Sequence, residues 1–261
     1  MSAVLADAPV LTARSGAVFT LTMARAPVNA LDETLVEAME GAVDAACADD
    51  GVTVIHLRSA NRVFCAGADL ALMGQSIATP AGLERMLALV ARLQRLAARL
   101  EAAPAVTLAE IGGAALGGGF ELALACDLRM AAHEARLGLP EAGLGLLAAA
   151  GGTQRLTRLV GPGLAKRLIL GAETVDGATA AQLGLVQWAV PRAELAQAAQ
   201  ALADRIAALP RTALGAAKQC IAAALDASRD GFAEEIAHTR QLYQQAITRE
   251  RVAAFLQPGA R

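Results

Sequence analysis

Cysteine is scarce and never closely spaced: Cys47, Cys65, Cys126 and Cys220 form no CxxC pair, which argues against both a zinc site and a disulfide framework. Lysine is scarcer still, present only at 166 and 218, and a formal charge of -2 with 18% charged residues leaves no basic field for nucleic acid or anionic lipid. Uncharged apolar runs are also short. Arg, Glu, Asp and Gln interrupt them before they reach the roughly 18 residues of a membrane span. The segment Met1 to Ser15 lacks the basic end and compact apolar stretch of a secretory signal. These absences predict a soluble chain, and four free thiols fit a reducing cytoplasm.

Hydrophobic residues make up 55% of the 261-residue chain, enough to bury a large core without a staple. Two early segments, Ala17 to Met23 and Val52 to Arg58, are rich in Val, Ile, Phe, Thr and Leu and read as strands. Between them Leu31, Leu35, Met39 and Val43 recur at helical spacing within Leu31 to Cys47. A long helical pattern, Ala81 to Leu100, precedes Pro104 and a third strand, Ala105 to Ile111. The segment Leu128 to Leu137 reads as two short extended pieces, and nearly everything after Gly151 reads as helix punctuated by Gly and Pro. The expected fold class is α/β with crossover units. Residues 1–190 would form the sheet-bearing core and residues 191–261 a helical region, with no linker or repeat.

Three segments carry chemistry. In Ala115-Leu116-Gly117-Gly118-Gly119-Phe120-Glu121-Leu122, glycines bare the backbone N–H groups of a helix start, where the dipole favours a negative oxygen. Glu121, three residues past Gly118, shares its helical face. An alternative is that the glycines only permit tight strand-helix packing and that Glu121 is a first-turn dipole partner. Dinucleotide and P-loop readings fail, because no GxGxxG follows the first strand and no GK[ST] is present. In Phe64-Cys65-Ala66-Gly67-Ala68-Asp69-Leu70, small residues let a ligand approach the main chain and Asp69 suits a helix start. In Leu137-Gly138-Leu139-Pro140-Glu141, an acid sits among apolar neighbours that would raise its proton affinity, although a surface-loop acid would look the same.

Taken in order, FCAGADL, ALGGGFELALACD, GLPEAGLG and GGTQRL (Gly151 to Leu156), with Arg25 to Leu31, resemble the signature of the crotonase, or enoyl-CoA hydratase/isomerase, superfamily. The resemblance covers nearly the whole chain and is closest to enoyl-CoA hydratases. It implies a ClpP/crotonase-like spiral of ββα repeats with a C-terminal helical region that forms trimers or paired trimers. Thr212 to Ala224 fits burial between subunits.

It further implies reversible syn addition of water to a 2-enoyl-CoA, giving a 3-hydroxyacyl-CoA. The thioester oxygen would lie between the amides of Ala68 and Gly118. Glu141 would handle the α-proton and Glu121 the water. Coenzyme A, as part of the substrate rather than a cofactor, would run along Ala66 to Leu70 and Gly117, with Arg25 toward its phosphates. The acyl tail would meet Leu70, Met73, Met86, Leu89 and Val90. No metal is implied, and His56, His133 and His238 match no catalytic position.

A double-bond isomerase needing one carboxylate, or a low-turnover acyl-CoA-binding protein of the same fold, are the alternatives. Three departures from the family pattern stand out. Ala148-Ala149 replaces Pro-Gly near the expected water, Gly112 replaces an asparagine, and Gln257-Pro258-Gly259 lies where a lysine often reaches coenzyme A.

Overall fold

The segments Val18–Met23, Val54–Ser59 and Val106–Ile111 bury nearly every residue, the pattern of parallel strands covered on both faces. In the computed structural model, which describes residues 8–257, they are the middle of a six-stranded sheet. The elements in chain order are β1 (Val10–Ser15), β2 (Val18–Met23), α1 (Glu33–Ala48), β3 (Val54–Ser59), α2 (Leu70–Ser76), α3 (Pro80–Ala102), β4 (Val106–Ile111) and β5 (Ala115–Leu116). They continue with α4 (Gly118–Ala125), β6 (Leu128–Ala132), β7 (Arg136–Gly138), a 3-10 turn (Pro140–Leu144), α5 (Gly152–Leu170), β8 (Thr174–Asp176), α6 (Gly177–Gln182) and β9 (Trp188–Val190). Four helices close the chain: α7 (Arg192–Ala207), α8 (Arg211–Ala223), α9 (Gly231–Tyr243) and α10 (Ala246–Phe255). The expectations for Met1 to Asp7 and for Pro258 and Gly259 lie outside the described residues.

The large sheet has the order β1-β2-β3-β4-β6-β9, parallel throughout except for the β1–β2 hairpin. A second sheet, β5-β7-β8, is extended by single parallel bridges, Leu31 to Ala68 and Cys65 to Ala115. The chain therefore climbs as a spiral. After β2, β3, β4 and β6 in turn, it places a short extended piece in the second layer before returning. This is the α/β spiral that the sequence resemblance implies.

Local signals set the helix starts. Asp32 accepts from the Leu35 amide and begins α1; Thr79, followed by Pro80, begins α3. On α3, Met86, Leu89, Leu93, Leu96 and Leu100 form one buried stripe facing the core.

The structure adds detail that the sequence patterns do not carry. Strand β1 is present although its residues are mostly exposed, because it pairs at the edge with β2. The chain after Gly151 is not all helix, since β8 and β9 add to the two sheets. Pro162 punctuates this half as expected: Gly161, with φ of 75° and ψ of 165°, leaves the helical path, so α5 is two helical pieces meeting at a kink, the second starting at Pro162.

The division after residue 190 falls between β9 and α7. Helix α7 nevertheless packs its buried Leu195, Ala199, Leu202 and Ile206 into the main core, and a Cβ added at Gly112 would meet Leu195 at ordinary contact distance. By contrast α9 and α10 bury no residue of their own. Helix α8 is fastened to the core by Lys218, whose Nζ donates to the carbonyls of Ala103 (2.8 Å) and Ala105 (2.9 Å) and pairs with Asp127 (2.7 Å). No helix among the described residues is long and apolar enough to cross a membrane.

Candidate active site

Three successive turns of the spiral meet at the Gly117–Gly118 step. Gly117 ends β5 with φ of 51° and Gly118 opens α4, while the Gly117 amide donates to the Gly138 carbonyl and so ties this step to β7. Gly67, φ 93°, lies against it: a Cβ there would stand 2.8 Å from the Leu116 carbonyl oxygen and 3.4 Å from the Gly118 nitrogen. Only glycine permits this approach. The Cβ position of Gly118 is in turn 3.9 Å from the Ala68 nitrogen. The Ala68 nitrogen thus lies near the Gly117–Gly118 step, and among the described residues neither the Ala68 nor the Gly118 amide donates to a backbone acceptor.

Two carboxyl groups flank the same step. Glu121, on the first turn of α4, is 3% exposed, and its Oε2 lies 3.9 Å from the Cβ position of Gly118. Its Oε1 accepts from the Gly152 amide at 2.6 Å. Burial raises its proton affinity, the Gly152 amide opposes that rise, and the neighbouring Glu141 adds to it; the outcome is a pKa of about 7.

Glu141, half-buried on the 3-10 turn, brings Oε1 to 2.8 Å from the Cβ position of Gly117. Its buried Oε2 has no hydrogen-bond partner among the described residues, and burial raises its pKa as well. The two acids share one neighbourhood with unequal roles: Glu121 is held by the backbone, and Glu141 keeps an oxygen free.

Other predicted residues occupy supporting or separate positions. Asp69 accepts from the Ala71 and Leu72 amides and begins α2; the Leu72 bond first, then Arg25, holds its carboxyl below the usual range. Arg25 is shared between Asp32 (2.9 Å) and Asp69 (3.1 Å). This trio carries one net negative charge and fastens the loop before α1 to the loop before α2. Ala66 is exposed beside Gly67.

The acyl-tail residues divide. Met86 and Leu89, with Leu72 and Ser76, line a cavity of about 340 Å³, whereas Leu70 is 59% exposed. A larger hollow, about 640 Å³, lies between α8 and α9, far along the chain from the acids. His56 is buried with Nε2 2.9 Å from Glu110 on the large sheet; His133 is exposed and His238 half-buried. No cluster of three or more His, Cys, Asp or Glu with metal-binding arrangement occurs among the described residues.

Asn29 carries no weight in the sequence argument, yet it organises the second loop. Fully buried with φ of 51°, it donates to Ser59 Oγ and to the Phe64 carbonyl, both at 2.8 Å, and its own carbonyl accepts from Cys65 Sγ at 3.0 Å. The available signal was its place among small and apolar residues, where a buried amide must be fully bonded. Gln94 and Arg155, which grip the loop after the 3-10 turn, carry no signal of their own beyond the position of Arg155 within GGTQRL.

Residues 13–258 match the family model described as enoyl-CoA hydratase/isomerase. The chain is 37% identical to the 2,3-dehydroadipyl-CoA hydratase of Escherichia coli (strain K12), over 95% of each chain. It is 41% identical to a probable enoyl-CoA hydratase of Bacillus subtilis (strain 168), over 73% of this chain and 72% of the relative. The crystal structure of an enoyl-CoA hydratase from Bacillus anthracis superposes with a TM-score of 0.88 at 31% identity, covering 95% of both chains.

Proposed function

The chain belongs to the enoyl-CoA hydratase/isomerase family, and on that premise we propose that it adds water reversibly to a 2-enoyl-CoA thioester, giving the 3-hydroxyacyl-CoA. The observation that carries this reading is the convergence of two carboxyl groups of raised proton affinity on the Gly117–Gly118 step, near two amides that donate to no backbone acceptor among the described residues.

In this reading the thioester oxygen accepts from the Ala68 and Gly118 amides. As water bonds to the β-carbon, the electron pair of the double bond moves toward that oxygen, and the donors stabilise the enolate-like charge; one such donor is typically worth about 100- to 1000-fold in rate. Glu121, ionised, takes the proton of the attacking water. Glu141, protonated, gives its proton to the α-carbon. The pair ends the step with the proton on the other member, and exchange with solvent resets it. A pKa of about 7 keeps Glu121 able to act in both directions of a reversible reaction near neutrality.

The substrate brings coenzyme A with it, and the enzyme needs no cofactor of its own. The pantetheine would lie along Ala66 to Leu70 and Gly117, with Arg25 at the outer end, where its two carboxylate partners lessen its attraction for phosphate. Met86 and Leu89 would meet an acyl tail from a cavity whose wall also includes Asp32, Glu33 and Arg85. Self-association, as a trimer or paired trimers, would cover the apolar residues that α8 to α10 leave outside, among them Ile221, Phe232 and Phe255. The four free thiols suit work in the cytoplasm.

The test is a panel of 2-enoyl-CoA thioesters of increasing length, followed at the loss of the conjugated double bond. Hydration by the wild type, with Glu121→Gln and Glu141→Gln each slower by about 100-fold or more, is expected. The freedom of Glu141 Oε2 also suits a one-acid isomerase. Shift of a 3-enoyl-CoA double bond that survives Glu121→Gln would replace hydration with that reading.

A further inference from the structure

The peptide turn between the 3-10 helix and α5 has its carbonyls and amides sorted to opposite sides. The Ala149 carbonyl accepts from Gln94 Nε2 at 2.6 Å, reaching across from α3. The Ala150 carbonyl accepts from Arg155 Nη1 at 3.0 Å. The Gly151 carbonyl accepts the amides of Gln154 and Arg155, the first of α5. On the inner side the Gly152 amide donates to Glu121 Oε1 at 2.6 Å, and the Ala150 amide, which has no backbone acceptor among the described residues, helps to hold down the proton affinity of the same carboxyl.

A trans peptide points its C=O and N–H in opposite directions. Gln94, by holding the Ala149 oxygen, therefore aims the Ala150 N–H, which belongs to the same peptide plane. The helix start does the same for Gly152 through the Gly151 oxygen. Arg155 fixes the plane between these two, and Glu101, near the end of α3, anchors its other Nη at 2.7 Å. Gly151 is the bed for this guanidinium: with φ of 106°, its Cβ position lies only 2.1 Å from Arg155 Nη1, so any larger residue would expel the arginine. The neutral, exposed Gln94 and the largely buried Arg155 come from different helices yet close on one turn.

We propose that Gln94 and Arg155 form a clamp of positioning residues that holds the 149–152 turn so that its amides set the protonation of Glu121. The proposal rests on the hydratase reading for its consequence in catalysis, but its geometry concerns only the free protein. The charged groups facing the Glu121 carboxyl are Glu141, from the 3-10 turn, and Arg155, from α5; Glu101, on α3, stands behind Arg155. Loosening the clamp withdraws amide donation from the ionised form and raises its proton affinity. The turn begins at Ala149, directly after Ala148, so the clamp supplies restraint in a stretch that here has no proline.

The experiment is a pH titration of the carboxyl stretching band by difference infrared spectroscopy on the full chain, with the Glu121 band assigned by its loss in Glu121→Gln. Gln94→Ala is the decisive variant, because it removes no charge and lies on an exposed helix face. We expect its Glu121 midpoint to move upward by about two- to threefold in proton affinity, and that of Arg155→Met by roughly tenfold, while Arg155→Lys, which keeps the charge without the two-pronged grip, falls between Arg155→Met and the wild type. The pH profile of kcat/KM should move with the midpoint.

An unchanged midpoint in Gln94→Ala with native circular dichroism overturns the clamp, as does an Arg155→Lys titration identical to the wild type, which would leave charge as the whole effect. Should Arg155→Met fail to fold, Gln94→Ala still decides. If the wild type hydrates no enoyl-CoA but the midpoints shift as expected, the hydratase reading fails and the clamp stands.

Discussion

Gly117 and Glu141 are packed so closely that the first carbon of any side chain at 117 would sit 2.8 Å from Glu141 Oε1. The carboxyl reaches its position over a bare backbone. Gly117→Ala adds both that collision and a strained φ of 51°. Misplacement by a fraction of an ångström is enough, so kcat for enoyl-CoA hydration should fall by about 100-fold or more, with native circular dichroism retained. A fully active Gly117→Ala enzyme would show that Glu141 works from elsewhere.

Glu121 makes the fold sensitive to pH in a definite direction. Its pKa is about 7 in the fold against an ordinary 4.5, so the folded state holds the proton more tightly than the unfolded state. The penalty for ionising it is absent below about 4.5, grows as pH rises through the interval, and is complete above about 7. Glu121→Gln keeps an acceptor for Gly152 and removes the charge. In urea unfolding it should be more stable than the wild type by up to roughly 3 kcal/mol at pH 8, and by nearly nothing at pH 4. Equal stability at pH 8 would mean that the carboxyl is not desolvated.

The same group should appear in catalysis as a limb of the pH profile of kcat/KM near 7, absent from any residual activity of Glu121→Gln. Measurement from pH 5 to 9 at substrate well below KM checks this.

Lys218 holds the C-terminal helices to the core through two carbonyls and Asp127, in a pocket that is mostly but not wholly closed. Lys218→Met leaves these acceptors and the Asp127 carboxylate without their partner. We expect a loss of about 2 to 3 kcal/mol in urea unfolding, discounted for the partial exposure of the pair. A change under about 0.5 kcal/mol would assign the docking of α8 to its apolar contacts.

Burial pushes the thiols of Cys65 and Cys126 up to about 12, whereas Cys47 and Cys220 are only partly covered. A disulfide reagent at pH 8 should label at most two thiols in the folded protein and four after denaturation. Rapid labelling of all four without denaturant would contradict the burial.

Sequence patterns reveal those parts of the fold that are continuous and strongly patterned. β2, β3 and β4 read correctly because they are short runs rich in Val, Ile, Leu, Phe and Thr, and α1 and α3 because one buried stripe recurs every three or four residues. β8 and β9 escape because three residues carry no periodicity; their partners, β7 and β6, decide their state. β1 escapes for the opposite reason, as an exposed edge whose side chains obey no alternation.

At the site, the glycines and acids were legible as residue types. Their meeting was not, because Gly67, Gly117 and Glu141 come together only through the stacking of separate turns. Arg25 was legible as a cation, but its two carboxylate partners are seen only in the folded chain.

The spiral also sets where the chain tolerates changes in length. Ala68, Gly118 and Glu141 each enter the site soon after a strand of the large sheet, so the phase of each coil at that point is what brings them level. Residues inserted in the outer connection between α2 and α3 would only lengthen an excursion. A single residue added between β4 and β5 would rotate the next coil out of step and carry both acids with it.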